Sequence, residues 1–198
     1  SYNDRKLNIY AAVDFAFSLG KRSDYTAIVV IGIDYEKNYY VLAIDRFKAD
    51  RVSEYFKHIV DLHSYWGFKK LRAEVTVAQQ VIVNEIKDKI KMSGMSLPVE
   101  EFRPTAKEGS KEERVAATLE HLYDDYRVWH VEGGWTPQLE EELIQARPSH
   151  DDIKDSMASA IEISVAPKQS MKSKMTDLFG ELGGNIPTNN RFGGVSFK

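Results

Sequence analysis

Cysteine is absent from this chain of 198 residues, which excludes disulfides, thiolate metal ligands and a cysteine nucleophile. Any metal site must draw on Asp, Glu, His or water, a donor set that suits Mg or Mn better than a structural zinc. Long apolar runs are missing too. None reaches the ~18 residues of a membrane-spanning helix, so no membrane partner is expected. The opening residues, Ser1-Tyr2-Asn3-Asp4-Arg5-Lys6, lack the apolar core of a signal peptide, which points to an intracellular context. A start without Met points to a fragment cut from something longer. A strong charge excess is also lacking. The net charge of −3 does not advertise nucleic-acid binding, although acidic site residues and a local basic groove cancel in such a sum. No internal repeat is visible.

What remains is an ordinary globular composition, 42% apolar and 29% charged, in a chain long enough for one sizeable core. Asn8 to Phe17 reads as a buried strand in which Asp14 is the only charge. After a polar turn come two more strands, Tyr25 to Ile33 and Tyr39 to Phe47, and the short turns between them predict an antiparallel meander. Helical spacing then takes over at Val52, Tyr55, Phe56, Ile59, Val60, Leu62 and His63, with Gly67 ending the helix. Leu71 to Thr76 is a fourth strand. A second helix is expected to carry Val81, Ile82, Ile86 and Ile90 on its apolar face and to close at Gly94. Pro98 to Phe102 reads as a fifth strand and Pro104 to Ser110 as a polar loop. Ser110 and Glu113 have capping-box spacing at the start of a third helix. Arg127 to Val131 is short and extended, and Thr136 is expected to cap a fourth helix through Leu139, Leu143 and Ile144. From Pro167 onward Gly, Asn, Ser and Pro become frequent. Five basic residues stand against two acids between Lys168 and Lys198, so residues 1–166 are expected to form the folded domain and 167–198 a flexible basic tail.

The densest chemistry lies at His150-Asp151-Asp152-Ile153-Lys154-Asp155, three carboxylates and an imidazole within six residues. On a helix Asp152 and Asp155 stand at i and i+3 and point from one face of the first turn, where carboxylates are favoured. Like charges this close call for a cation between them, and an oxygen-liganded divalent metal is a candidate. An N-capped helix with a solvated acidic turn is the alternative. If the fourth strand returns parallel to the first and beside it, Asp14 and Glu74 meet at one sheet edge, within reach of the last helix. Asp155 and Asp152 then complete an acid cluster from three remote segments, able to hold two metals ~3.5–4 Å apart. Read singly, Asp14 is equally a turn cap and Glu74 an edge charge. Asp24, before the second strand, reads first as a turn residue.

These residues also carry a resemblance. Asp14 on a first strand, Asp24-Tyr25-Thr26-Ala27 opening the second, Glu74 ending a fourth, a Ser110-Lys111-x-x-Arg114 helix start and His150-Asp151-Asp152-x-x-Asp155 together resemble the nuclease domain of the large terminase subunit of tailed bacteriophages. That domain belongs to the ribonuclease H-like superfamily, alongside Holliday-junction resolvases, and the resemblance spans about residues 7–166. It implies an α/β fold with a mixed sheet, strands 1–3 antiparallel and the later ones parallel, and helices on both faces. It implies catalytic Asp14, Glu74 and Asp155, which with Asp152 would bind two divalent ions, Mg2+ or Mn2+. It also implies Lys111 and Arg114, with Lys107 in the preceding loop, against the DNA backbone, where a solvated helix face is the alternative. His150 reads as a helix cap or a neighbour of the metal site, with a proton shuttle as the alternative, and Asp151 and Asp24 are further candidates beside the site. The implied activity is cleavage of concatemeric double-stranded phage DNA during packaging, in the cytoplasm of the infected bacterium. The implied partners are the portal protein, the small terminase subunit and an N-terminal ATPase domain. One departure is clear: Phe15 stands where a Walker A loop ahead of Gly20-Lys21 would need glycine, so the packaging motor is expected to be missing from this chain. A resolvase or another ribonuclease H-like nuclease would use the same acids on a different DNA shape. An actin-like or sugar-kinase ATPase half also begins with a three-strand meander and an early Asp. It needs a glycine-rich phosphate turn that Asp14-Phe15-Ala16 does not supply.

Overall fold

The computed structural model describes residues 6–16, 25–76, 79–104, 109–145 and 148–169. Asp24, Lys107 and the tail beyond residue 169 lie outside them. Pro167 ends the folded unit that carries every element discussed below.

Among the described residues six strands, β1 (Asn8–Asp14), β2 (Thr26–Ile33), β3 (Tyr39–Phe47), β4 (Leu71–Glu74), β5 (Val99–Phe102) and β6 (Val128–His130), form one sheet. Their spatial order is β5-β4-β1-β2-β3-β6. The first three make the expected meander, β1 antiparallel to β2 and β2 to β3. β4 then lies parallel to β1, β5 parallel to β4 and β6 parallel to β3. Each of these parallel neighbours is reached through a helix: α1 (Val52–Trp66), α2 (Gln80–Met92) and α3 (Lys111–Asp124). Two further helices, α4 (Thr136–Ile144) and α5 (Asp152–Glu162), complete the described part of the chain.

Side chains alternate across a strand, and β1 feeds two cores in that way. Tyr10 and Ala12 join Val29, Ile31 and Val41 beneath α3, α4 and α5. Ala11 and Val13 join Ile28 and Val30 beneath α1 and α2. β2 is buried along its whole length, as its unbroken apolar run requires of a strand covered on both faces. α5 lies against β1 and β2. Small residues at Ser156, Ala158 and Ala160 let its backbone come close, while Ile153 and Met157 are fully buried. Each such large side chain contributes about 2 kcal/mol of burial.

Several local expectations need correction. β1 stops at Asp14 rather than running to Phe17, because the next backbone groups bond to side chains: Ala16 N–H to Thr26 Oγ1 at 3.0 Å and the Phe15 carbonyl to Gln79 Nε2 at 2.5 Å. β4 likewise ends at Glu74, and Thr76 N–H donates to Gln79 Oε1 at 2.8 Å. Val81 is 73% exposed rather than inward, since Ile82, Val83, Ile86 and Ile90 form the buried stripe of α2. Thr136 does not cap α4: Trp135 holds that position, and the Thr136 hydroxyl donates to the Val131 carbonyl at 2.7 Å. Gly67 does end α1, in the left-handed conformation, with its N–H on the His63 carbonyl.

Candidate active site

Asp14 closes β1 and Glu74 closes β4, each one residue past the Val13–Ala73 rung of the parallel ladder. Two adjacent strand ends therefore present acids together, at the edge where ligands gather in parallel sheets. Gln79 is buried and bridges the strand extensions through its bonds to Phe15 and Thr76. Behind them the Tyr55 hydroxyl donates to the Ala49 carbonyl at 2.7 Å, with the Ala16 carbonyl at 3.3 Å.

α3 enters this edge from above. Its start is set by the capping box expected from the sequence: Ser110 Oγ accepts from Glu113 N–H at 3.1 Å and Glu113 Oε2 from Ser110 N–H at 2.9 Å. Gly109 has φ +78, and a Cβ there would meet Glu113 Oε2 at 2.7 Å, so the box requires glycine. The box aims Lys111 and Arg114, three residues apart on one helix face, at the acids. Lys111 Nζ lies 3.0 Å from Asp14 Oδ2 and 2.7 Å from Asp155 Oδ2. Arg114 lies 3.2 Å from Glu74 Oε2 and over the Phe102 ring. Asp155 arrives from the first turn of α5, which Ser156 anchors by donating to the Ala27 carbonyl at 3.0 Å.

Burial dominates the electrostatics. It pushes the Asp155 carboxyl up to about 6 against the pull of Lys111. It raises Glu74 too, opposed by Lys111 and Arg114 and reinforced by Asp14. For Lys111 burial opposes the charge, yet Asp14 and Asp155 outweigh it and hold the ammonium above its ordinary value. The arrangement concentrates negative charge in a half-buried edge and balances it with fixed cations.

Asp152 and Asp155 leave the same turn but go to different partners. Asp152 pairs with Arg46 of β3 at 3.3 Å, and burial raises its carboxyl against that pairing. The Arg46 guanidinium sits 3.9 Å over the Tyr25 ring and 5.7 Å from the centre of the Trp135 ring. His150 packs edge-on against Tyr25. Asp151 is the N-cap residue of α5, but its side chain makes no capping bond. A cleft of about 410 Å3 joins these groups, lined among others by Asp14, Tyr25, Gln79, Lys111, His150 and Asp152.

The structure thus brings Asp14, Glu74, Asp155, Lys111 and Arg114 into one cluster, and Asp14 and Lys111 share a cleft with Asp152 and His150. Among the described residues no three acids or histidines are gathered as ligands of one ion. The donor set, all carboxylate oxygen, nevertheless fits a hard divalent cation. The Lys111 ammonium shows where positive charge is held, between Asp14 and Asp155. Sequence reasoning missed Gln79, Arg46, Ser156 and Glu142, whose buried carboxylate accepts from Ile153 N–H at 3.1 Å and Lys154 N–H at 2.9 Å. For Glu142 a signal existed: it shares the helix face of Leu139, which points inward.

Comparison with known proteins bears on the fold and the family. No curated protein matches the chain. Among solved structures, the large terminase nuclease from thermophilic phage G20c is similar with a TM-score of 0.53 and 18% identity, over 82% of this chain and 84% of that one. A mutant gp2c of the large terminase subunit from bacteriophage Sf6, with calcium, gives a TM-score of 0.55 at 12% identity, over 80% and 89% of the two chains. A mutant nuclease domain of the Sf6 large terminase subunit gp2, with manganese and beta-thujaplicinol, gives 0.54 at 11%, over 80% and 89%. At these identities the likeness is one of fold. A family profile described as the terminase RNaseH-like domain matches residues 11–163, from the middle of β1 to the end of α5, and by that match the chain belongs to the terminase RNaseH-like domain family.

Proposed function

We propose that the chain is a metal-dependent DNA endonuclease, the nuclease domain of a phage large terminase subunit, which cuts concatemeric phage DNA during genome packaging. The observation that carries this reading is the convergence of Asp14, Glu74 and Asp155, from three remote segments, on the edge where Lys111 sits between two of them. Asp14, Glu74, Asp152 and Asp155 would hold two divalent ions, Mg2+ or Mn2+. Bound there, such ions would supply an activated water and charge neutralisation at the leaving 3′ oxygen of a phosphodiester.

The chain's own groups do the rest. Asp14 ends the strand beside that of Glu74 and shares Lys111 with Asp155, so it would be the acid to serve both ions. Lys111 and Arg114 are half-buried and already oriented, so they can offer charge to phosphate oxygens without reordering long side chains. Lys107 is proposed to extend the same phosphate contact. Such contacts position a duplex without reading its sequence, and binding should weaken as salt rises. His150 and Asp151, with Asp24, would support the site from outside the ligand set. The substrate is double-stranded DNA. The portal, the small subunit and an ATPase domain would direct the cut, in the cytoplasm of the infected host. Among the described residues no helix is long and apolar enough to cross a membrane.

The test is cleavage of supercoiled plasmid with Mn2+, with Mg2+ and with EDTA, beside Asp155→Ala. Metal-dependent nicking and linearisation that the variant loses is the expected result. Equal cleavage by the variant defeats the site assignment. Selective cutting of four-way junctions by a dimer would move the chain to the resolvases.

A further inference from the structure

Glu142 of α4 is fully buried, and a buried carboxylate is costly unless it is hydrogen-bonded or paired. Its Oε2 accepts from two backbone amides, Ile153 and Lys154, the second and third residues of α5. A helix N-terminus is ordinarily capped by a side chain within its own first residues. Here Asp151 makes no such bond. The cap comes instead from another helix, 11 and 12 residues away in sequence.

The location gives this a consequence. The capped amides lie between Asp152 and Asp155 on the same turn. A local cap would complete that turn but would not fix it relative to anything else. A cap delivered from α4 indexes the turn to the rest of the fold, so sliding or rotating α5 breaks both bonds. Two more ties converge on the turn from other directions: Arg46 of β3 holds Asp152, and the backbone carbonyl of Ala27 in β2 holds Ser156. Of the three, only Glu142 grips the backbone of the turn itself.

We propose that Glu142 is a positioning residue that sets the place of Asp155, and with it the geometry of the cutting site. The inference rests on the nuclease reading for its consequence but not for its mechanics. Two variants separate the possibilities. Glu142→Gln keeps an acceptor oxygen and loses the charge. Glu142→Leu fills the same volume without an acceptor, a replacement that is often tolerated where a buried charge is removed. Three readouts are taken on the full chain: exchange of the Ile153 and Lys154 amides, plasmid cleavage with kcat and KM resolved, and Mn2+ binding by calorimetry.

The expected pattern is protected amides and near wild-type cleavage for Glu142→Gln. For Glu142→Leu it is fast-exchanging amides, weaker Mn2+ binding and a kcat lower by about 10²-fold, with KM for DNA little changed. A folded leucine variant that cleaves like wild type overturns the proposal. If the leucine variant does not fold, the glutamine variant decides alone: loss of cleavage with both amides still protected shows that charge, not placement, is what Glu142 supplies. If wild type neither cleaves nor binds Mn2+, the nuclease reading fails. The amide exchange then still shows whether Glu142 holds the turn.

Discussion

Ser156 donates to the carbonyl of Ala27 at 3.0 Å, and Ala27 faces Asp14 across the antiparallel ladder. One hydrogen bond therefore connects the neighbour of one proposed catalytic acid to the strand partner of another. Ser156→Ala should cost about 1 kcal/mol and lower cleavage beyond what the lost stability explains. Urea unfolding with an unchanged m-value, beside plasmid cleavage at a temperature where both proteins are folded, checks this. Full activity in the variant would mean that α5 is placed without this bond.

Lys111 supplies the positive charge between Asp14 and Asp155. Lys111→Met leaves two carboxylates facing each other, and a divalent ion then relieves more repulsion than it does in the wild type. The melting temperature should fall without metal and rise further on adding Mn2+ than the wild type does, while DNA binding weakens. A thermal shift equal to or smaller than that of wild type contradicts the shared-charge reading.

The pH dependence of cleavage follows from Asp155. Burial holds its folded pKa at about 6, above the ordinary 3.8, and the ionised form is the one that can ligate or accept. Activity should fall as pH drops through about 6. Because metal favours the ionised carboxylate, raising Mn2+ should move that midpoint downward. pH–rate profiles at two Mn2+ concentrations test both statements, and a limb near 4 that ignores metal would remove Asp155 from the site.

Glu142 makes a separate prediction about stability. Burial raises its pKa from 4.5 to about 7, so the folded chain holds this proton more tightly than the unfolded one. Its contribution is fully present below about 4.5 and is lost as pH rises toward 7, by up to about 3 kcal/mol. Glu142→Gln should flatten that part of the stability profile. Denaturant midpoints at pH 4.5, 6 and 7.5 measure it, and identical slopes for the two proteins would show that Glu142 titrates normally.

The meander, the two early helices and the capping box at Ser110 were legible because each is announced locally, by alternation, by spacing or by a cap. The pairing of Asp14 with Glu74 was legible one step further out, through the handedness of a crossover connection and the resemblance to terminase nucleases. Three-residue β6 carries no periodicity, and its extended backbone alone does not reveal that it lies beside β3 at the far edge. Glu142 sits in the run Glu140-Glu141-Glu142, which reads as solvated charge until the phase of Leu139 is noticed. The separate destinations of Asp152 and Asp155 depend on Arg46, more than a hundred residues earlier, and no local rule reaches that far.

The parallel contact between β1 and β4 has a further consequence for how the protein is made. No hairpin sets its register, and the final acid comes from α5, the last described helix. Synthesis proceeds from the N-terminus, while the contacts that build the centre span nearly the whole domain, a topology that folds late. A chain still emerging from the ribosome, up to the end of α4, holds Asp14 and Glu74 but neither Asp155 nor the turn that Glu142 grips. The proposed cutting centre is thus withheld from the growing polypeptide by topology, and is completed only when α5 closes over the sheet.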